Sequence, residues 1–304
     1  ISSAQEWDVT DTGEPYREVA LTLEEGTWIS VAVHPSGKTI LFDVLGDIYS
    51  MPAEGGEARL VLGGSAIQHS PVISPDGRRV AYISDVDGTD NIWTADLDGG
   101  NRVQVSFEQT QAVVDPDWSA DGKSIAAARM FDTADKLHAS ELVAYPSGGG
   151  SAEIVVEMPA NGENVHDAEY SPDGDYLYYV EKVTPPHASA IYVDANHKNF
   201  AIQRLELNSS QTETVVGGFG GALAPSISPD GSKMAFVRRV KEQTMLFVYD
   251  FETREQVPIF DELDRDGQAD FLGQGAYYPR FSWFPDGQSI AIWSGGKIKR
   301  IFLQ

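Results

Sequence analysis

The 304-residue chain carries 46 acidic against 22 basic residues, a formal charge of −24, and 41% of it is hydrophobic. That field repels nucleic acid and anionic membranes, while the apolar content suffices for a folded core. The lack of cysteine excludes disulfides, thiolate zinc centres and cysteine nucleophiles, and no apolar run approaches the ~18–20 residues that span a bilayer.

The chain opens at Ile1 without a basic or apolar leader, as expected of a processed or excised chain. The first predicted element is the strand Tyr16–Leu21. It is followed by "WISVAV", the turn His34-Pro35-Ser36-Gly37, and the strands "KTILFDV", "DIYSMPA" and "ARLVL". The same order then returns. A short small-residue strand leads into a turn, and two or three β-rich runs bounded by Gly, Asp and Asn follow it.

The later turns are Ser74-Pro75-Asp76-Gly77, Ser119-Ala120-Asp121-Gly122, Ser171-Pro172-Asp173-Gly174, Ser228-Pro229-Asp230-Gly231 and Phe284-Pro285-Asp286-Gly287. Proline pre-sets φ, aspartate bonds back to its own backbone, and glycine accepts positive φ. Successive turn glycines, at 37, 77, 122, 174, 231 and 287, stand 40, 45, 52, 57 and 56 residues apart. Such periods fit four-stranded propeller blades and exceed those of ankyrin and tetratricopeptide units.

The sixth unit ends after "KIKRIFL" without an outer strand, and Tyr16–Leu21 has the composition of the strand it lacks. The sequence therefore predicts an all-β chain, residues 1–304 forming one six-bladed propeller of four-stranded antiparallel blades. The N-terminal strand is expected to complete the last blade, with Val19 paired near Ile301, so that no sheet edge is left open.

The phrase "SPDGRRVAYIS" followed by "GTDNIW" resembles the repeat of TolB-like (PD40, WD40-like) propellers, and the resemblance covers about Tyr16 to Leu303. Two longer stretches, "EEGTWISVAVHPSGKTILFDVLGDIYSMPAEGGEARLVLGG" and "FVRRVKEQTMLFVYDFET", resemble the N-terminal propeller region of large bacterial amidohydrolase-related proteins. The resemblance implies a periplasmic or secreted bacterial protein. It also implies a propeller that binds a protein partner, or that gates substrate for a covalently linked hydrolase domain. The metal-binding His-x-His of such hydrolases is missing, since no two of the six histidines lie two apart.

Insertions collect on the face opposite the turns, at about residues 130–140, 182–199 and 261–278. Variable loops on a rigid scaffold are where binding is expected. Counted back from the turn glycine, His69 and His166 share one position, and Asp115 and Asp167 share the next. With Tyr278 and Arg280 they are predicted to ring the channel mouth as a ligand-binding set. His69, His166, Asp115 and Asp167 are the candidates for a divalent metal, the one cofactor the sequence suggests. The alternative is that these polar groups bond neighbouring blades and line a water-filled channel.

The acidic loops Asp85–Asn91 and Asp264–Asp270 open like calcium loops but lack the glutamate at the twelfth position. Hydrolase, zincin, Walker and dinucleotide motifs are absent. Three readings stay open: an interaction or gating module, a self-contained metal-dependent lyase or hydrolase with its site at the channel mouth, and a cell-envelope binding component. Substrate, partner identity and oligomeric state are not encoded in any of these motifs.

Overall fold

The computed structural model describes residues 9, 17, 19–134, 139–160, 164–183, 194–269 and 277–303. They form six antiparallel sheets in chain order. The innermost strands are Val31–Val33, Gln68–Ile73, Ala112–Trp118, Val165–Tyr170, Leu223–Ile227 and Ser282–Trp283. Apart from a 3-10 turn at Gly267–Ala269, the described secondary structure is all strand. The chain is a six-bladed β-propeller.

Strand alternation explains how the blades stack. In the second strand of blade 2, Arg79–Ser84, Val80 and Tyr82 pack on Leu41, Ile48 and Leu62 of blade 1. Ala81 and Ile83 face the other way, onto Val113, Ile125 and Val143 of blade 3. Within Ser124–Phe131 the same split recurs, Ile125 and Ala127 facing blade 2, Ala126 and Ala128 facing blade 4. A strand buried on both faces must be apolar at nearly every position, which is why these runs carry little polar alternation.

All six turns form as expected. Each turn glycine has φ between 64° and 78°, and its N–H donates to the carbonyl three residues earlier at 2.7–3.0 Å. Asp76, Asp121, Asp173 and Asp230 accept from the serine hydroxyl of the turn and from the N–H two residues on. These bonds stabilise the ionised carboxylates. Lys123 and the turn donors hold Asp121 at about 2, and the Ser232 N–H with the two serine hydroxyls holds Asp230 at about 2. In the first blade Ser36 takes the aspartate's place, its Oγ accepting from Lys38 N–H (3.4 Å) and meeting His34 Nδ1 (2.8 Å), while His34 Nε2 meets the Gly77 carbonyl of blade 2 at 3.0 Å.

Ring closure differs from the sequence expectation. The sixth sheet has three strands among the described residues, Ser282–Trp283, Ser289–Ser294 and Lys297–Phe302. Of the predicted strand Tyr16–Leu21, Tyr16 and Glu18 lie outside the described residues. Val19 to Leu21 belong to no strand, and Val19 is 61% exposed rather than paired near Ile301. The ends do meet in blade 6, but later in the chain. Gly26 N–H donates to Gly296 O (2.9 Å), and Trp293 Nε1–H donates to Gly26 O (2.8 Å). Val31 N–H and Val33 N–H then bond Arg280 O and Ser282 Oγ, joining blade 1 to blade 6.

One glycine carries a sharp prediction. Gly220, in the connector to blade 5, has φ 82°, and a methyl group there would lie 1.9 Å from Arg239 O. Its own carbonyl accepts from Arg239 N–H and Gln268 Nε2 (both 3.0 Å), so the backbone cannot drift away. Gly220→Ala is expected to destabilise the fold by about 2–3 kcal/mol in urea unfolding, from strain plus overlap.

Candidate functional site

The innermost strands share a device that aims side chains at the axis. In blades 2 to 5 the pairing with the second strand slips over two residues: Ser70-Pro71, Asp115-Pro116, Asp167-Ala168 and Ala224-Pro225. The first of each pair sits in left-handed backbone, with φ between 48° and 56°. All four stand seven residues before their turn glycine. Proline suits the second place, since a bulged residue needs no ladder N–H.

Two polar rings follow from this repeat. Five residues before the turn glycine, a side chain accepts the N–H of the next blade. Asp117 Oδ2 takes Tyr170 N–H (2.8 Å), Glu169 Oε1 takes Ile227 N–H (3.3 Å), and Ser282 Oγ takes Val33 N–H (3.1 Å). At the bulge, Asp167 Oδ2 takes Ala224 N–H (2.9 Å) and the Asp115 carboxylate takes Asp167 N–H. Indoles add lateral bonds, Trp118 Nε1–H to Val72 O (3.1 Å) and Trp283 Nε1–H to Ser226 O (3.0 Å).

Arg280 crosses the axis from blade 6. Its Nη1 donates to Asp117 Oδ1 (3.3 Å) and Glu169 Oε2 (3.0 Å), and its Nη2 to Ala168 O (3.3 Å). The guanidinium thus bars the channel at mid-depth. On the turn side lies a vestibule of about 300 Å3, with Asp117 and Glu169 among its lining and walls that include Pro75, Pro172, Pro229, Trp118 and Trp283. On the loop side a cavity of about 20 Å3, open to the centre of a water molecule, is lined by Asp115, Asp167, Tyr278 and Arg280.

Four carboxylates face this one arginine, and burial sets their protonation. Burial, reinforced by the Asp117 charge, pushes Glu169 up to about 8 against the pull of Arg280. Burial and the Asp167 charge raise Asp115 to about 7. Burial raises Asp117 as well. Asp167 moves down, because His166, the Ala224 N–H and Arg280 together outweigh its burial.

Of the six sequence-predicted residues, Asp115, His166, Asp167, Tyr278 and Arg280 come together at the axis. Tyr278 contributes its ring, while its hydroxyl donates to Trp293 O (2.9 Å) and burial raises its pKa. His69 stands apart. It is half-buried, its Nδ1 meets Ser70 Oγ at 3.0 Å, and it lies near Asp43 and Asp90. Being equivalent by count, His69 and His166 flank different blades and do not converge.

Four of the five described carboxylates of the calcium-like loops, all but Asp90, meet protein donors. Asp85 accepts from Ile67 N–H, and Asp87 from Asn91 and Gln104. Asp264 accepts from Gly295 N–H, and Asp266 pairs with Arg239 at 2.9 Å. Asp270 lies outside the described residues. Asp117 and Glu169 escaped the sequence reading, although the D-x-[DE] echo in "DPDWS" and "DAEYS" carries them two residues after Asp115 and Asp167.

Tricorn protease homolog 1 of Streptomyces coelicolor is 30% identical over 126 residues, 41% of this chain but 12% of its own length. The chain spans less than two thirds of the curated relatives it matches first. A TolB-type structure from Agrobacterium tumefaciens superposes with TM-score 0.67 at 20% identity, covering 91% of this chain and 90% of the other. TolB from Acinetobacter baumannii gives 0.64 at 17% identity, covering 90% and 59%. At such identities these two show the fold. Residues 30–218 match the Tricorn protease N-terminal beta propeller domain, and the chain belongs to that family.

Proposed function

We propose that this propeller is a binding module, serving a protein partner or a linked hydrolase domain, rather than a self-contained enzyme or an open conduit. The carrying observation is the bar across the channel. Arg280 is tied to two blades at once, so a polypeptide cannot thread the axis without breaking a partly buried ion pair. On the turn side is a vestibule of about 300 Å3, at the lower edge of small-ligand pockets and wide enough for one or two inserted side chains.

Its chemistry selects an apolar or basic tip. Proline and tryptophan faces line the wall together with the acids Asp117 and Glu169. The small share of its curated relative that the chain spans supports a place within a larger hydrolase, whether peptidase or amidohydrolase. A periplasmic or secreted location is part of the proposal and rests on the TolB-like repeat.

The test is turnover. Chromogenic amide, ester and glycoside substrates are expected to pass unchanged by the purified chain, with or without added Mn2+ or Zn2+. Turnover abolished by Asp115→Asn would overturn the module reading in favour of an enzyme at the channel mouth.

A further inference from the structure

We propose that Asp115, His166 and Asp167 form a binding site for one divalent transition ion, Mn2+ or Zn2+, bridging blades 3 and 4 on the loop side of the Arg280 bar. One donor atom from each lies within 4.8 Å of the others. His166 Nδ1 and Asp167 Oδ2 are 3.2 Å apart, close to the roughly 3.0–3.5 Å between two donors bonded to one ion at ~2.1 Å.

Acidic clusters are common, and this one is set apart by its unsatisfied atoms. Asp115 is 7% exposed and His166 2%. Among the described residues, Asp115 Oδ2 and both ring nitrogens of His166 have no hydrogen-bond partner. The 3.2 Å approach to Asp167 does not have hydrogen-bond geometry. A buried polar atom without a partner costs about 1–3 kcal/mol, and native folds keep few of them. A cation between them would satisfy Asp115 Oδ2 and one ring nitrogen of His166 together, the other nitrogen lying on the far side of the ring.

Charge and space agree. Arg280 spends its hydrogen bonds on Asp117, Glu169 and Ala168, leaving Asp115 and Asp167 without a hydrogen-bonded cation of their own. The adjoining cavity of about 20 Å3 holds one water-sized body, and its lining by Asp115 and Asp167 leaves room for a coordinated water or ligand atom. The imidazole is held by Tyr277 and Phe200, with ring centroids 4.9 and 5.8 Å away. Asp167 is anchored by Ala224 N–H, the outer support that orients a metal-binding carboxylate. One imidazole with two carboxylates suits Mn2+ or Zn2+ better than Ca2+, which prefers oxygen alone, or Cu(I), which prefers sulfur.

The experiment uses the metal alone. Chelator-treated protein is titrated with MnCl2 and with ZnCl2 by calorimetry at about 0.15 M NaCl, where diffuse attraction to the acidic surface is screened. One saturable equivalent is expected, weakened about tenfold or more in Asp115→Asn and in His166→Gln and unchanged in the loop control Asp87→Asn. Circular dichroism confirms that each variant is folded. In the wild-type chain, Mn2+ is expected to broaden the NMR signals of His166 before those of the other histidines, a readout that survives if a variant fails to fold. No saturable equivalent up to about 1 mM, equal binding by the two site variants, or first broadening at another histidine overturns the site. Failure here leaves the turnover test of the module reading untouched.

Discussion

Replacing Arg280 with alanine is expected to cost about 3–5 kcal/mol at pH 8 and above, where Glu169 loses its proton, because it strands Asp117 and Glu169 in the channel without their cation. Lysine recovers only part of the loss. A single ammonium cannot reach two carboxylates and the Ala168 carbonyl in the forked geometry that the guanidinium uses. The stranded acids can escape only by taking up protons, so the loss is larger at pH 8 than at pH 5. Urea unfolding at both pH values measures it. A loss below about 1 kcal/mol at pH 8 would mean that the carboxylates are already neutral beside arginine, and the bar would then be a packing contact rather than an ion pair.

The second large effect is an inverted pH dependence. Glu169 keeps its proton in the folded chain up to about 8 and Asp115 up to about 7, against ordinary values of 4.5 and 3.8. Between those limits the folded chain binds more protons than the unfolded chain. Stability is therefore fully present below about pH 4 for these groups and is lost as pH rises to 7 and 8. At the steepest, each group contributes about 1.4 kcal/mol per pH unit. Burial of Asp117 and Asp43 acts in the same direction.

The turn aspartates work oppositely. Asp121 and Asp230, held at about 2, stabilise the fold above 3.8 and lose that contribution as pH falls through 2. The two sets place maximal stability of the chelator-treated chain near pH 4–5. Melting temperatures measured from pH 3 to 9 check this, and a rise between pH 5 and 8 would refute it. Glu169→Gln is expected to flatten the slope on the alkaline side.

The blades were legible because a turn is a local problem. Pro75, Asp76 and Gly77 each meet a steric or hydrogen-bonding need within four residues, so the count of turns gave the count of blades. The N-terminal strand was less so. Val19 and Leu21 have strand composition, yet composition does not say which edge a segment reaches, and the described closure runs instead through Gly26 and Gly296.

At the axis, counting back from the turn glycine found Asp115 and Asp167 because a repeat carries position as well as sequence. The same count grouped His69 with His166, but the bulge residue beside His69 is Ser70 rather than an aspartate, and His69 in blade 2 does not join the Asp115, His166 and Asp167 set of blades 3 and 4. The bar was hidden for a different reason. Nothing local to "YPRFSW" shows that Arg280 reaches blades 3 and 4, and only the closed ring brings those acids within 3.3 Å of it.

The bulge seven residues before four of the six turn glycines has a consequence for how such chains diversify. The ladder resumes on either side of it, so the residue there is nearly independent of the sheet that carries it. Serine, aspartate, aspartate and alanine occupy four successive copies of one backbone shape. The ring is thus a set of interchangeable sockets. Changing one residue per blade rewrites what the axis presents, acid, hydroxyl or methyl, while the scaffold keeps its shape.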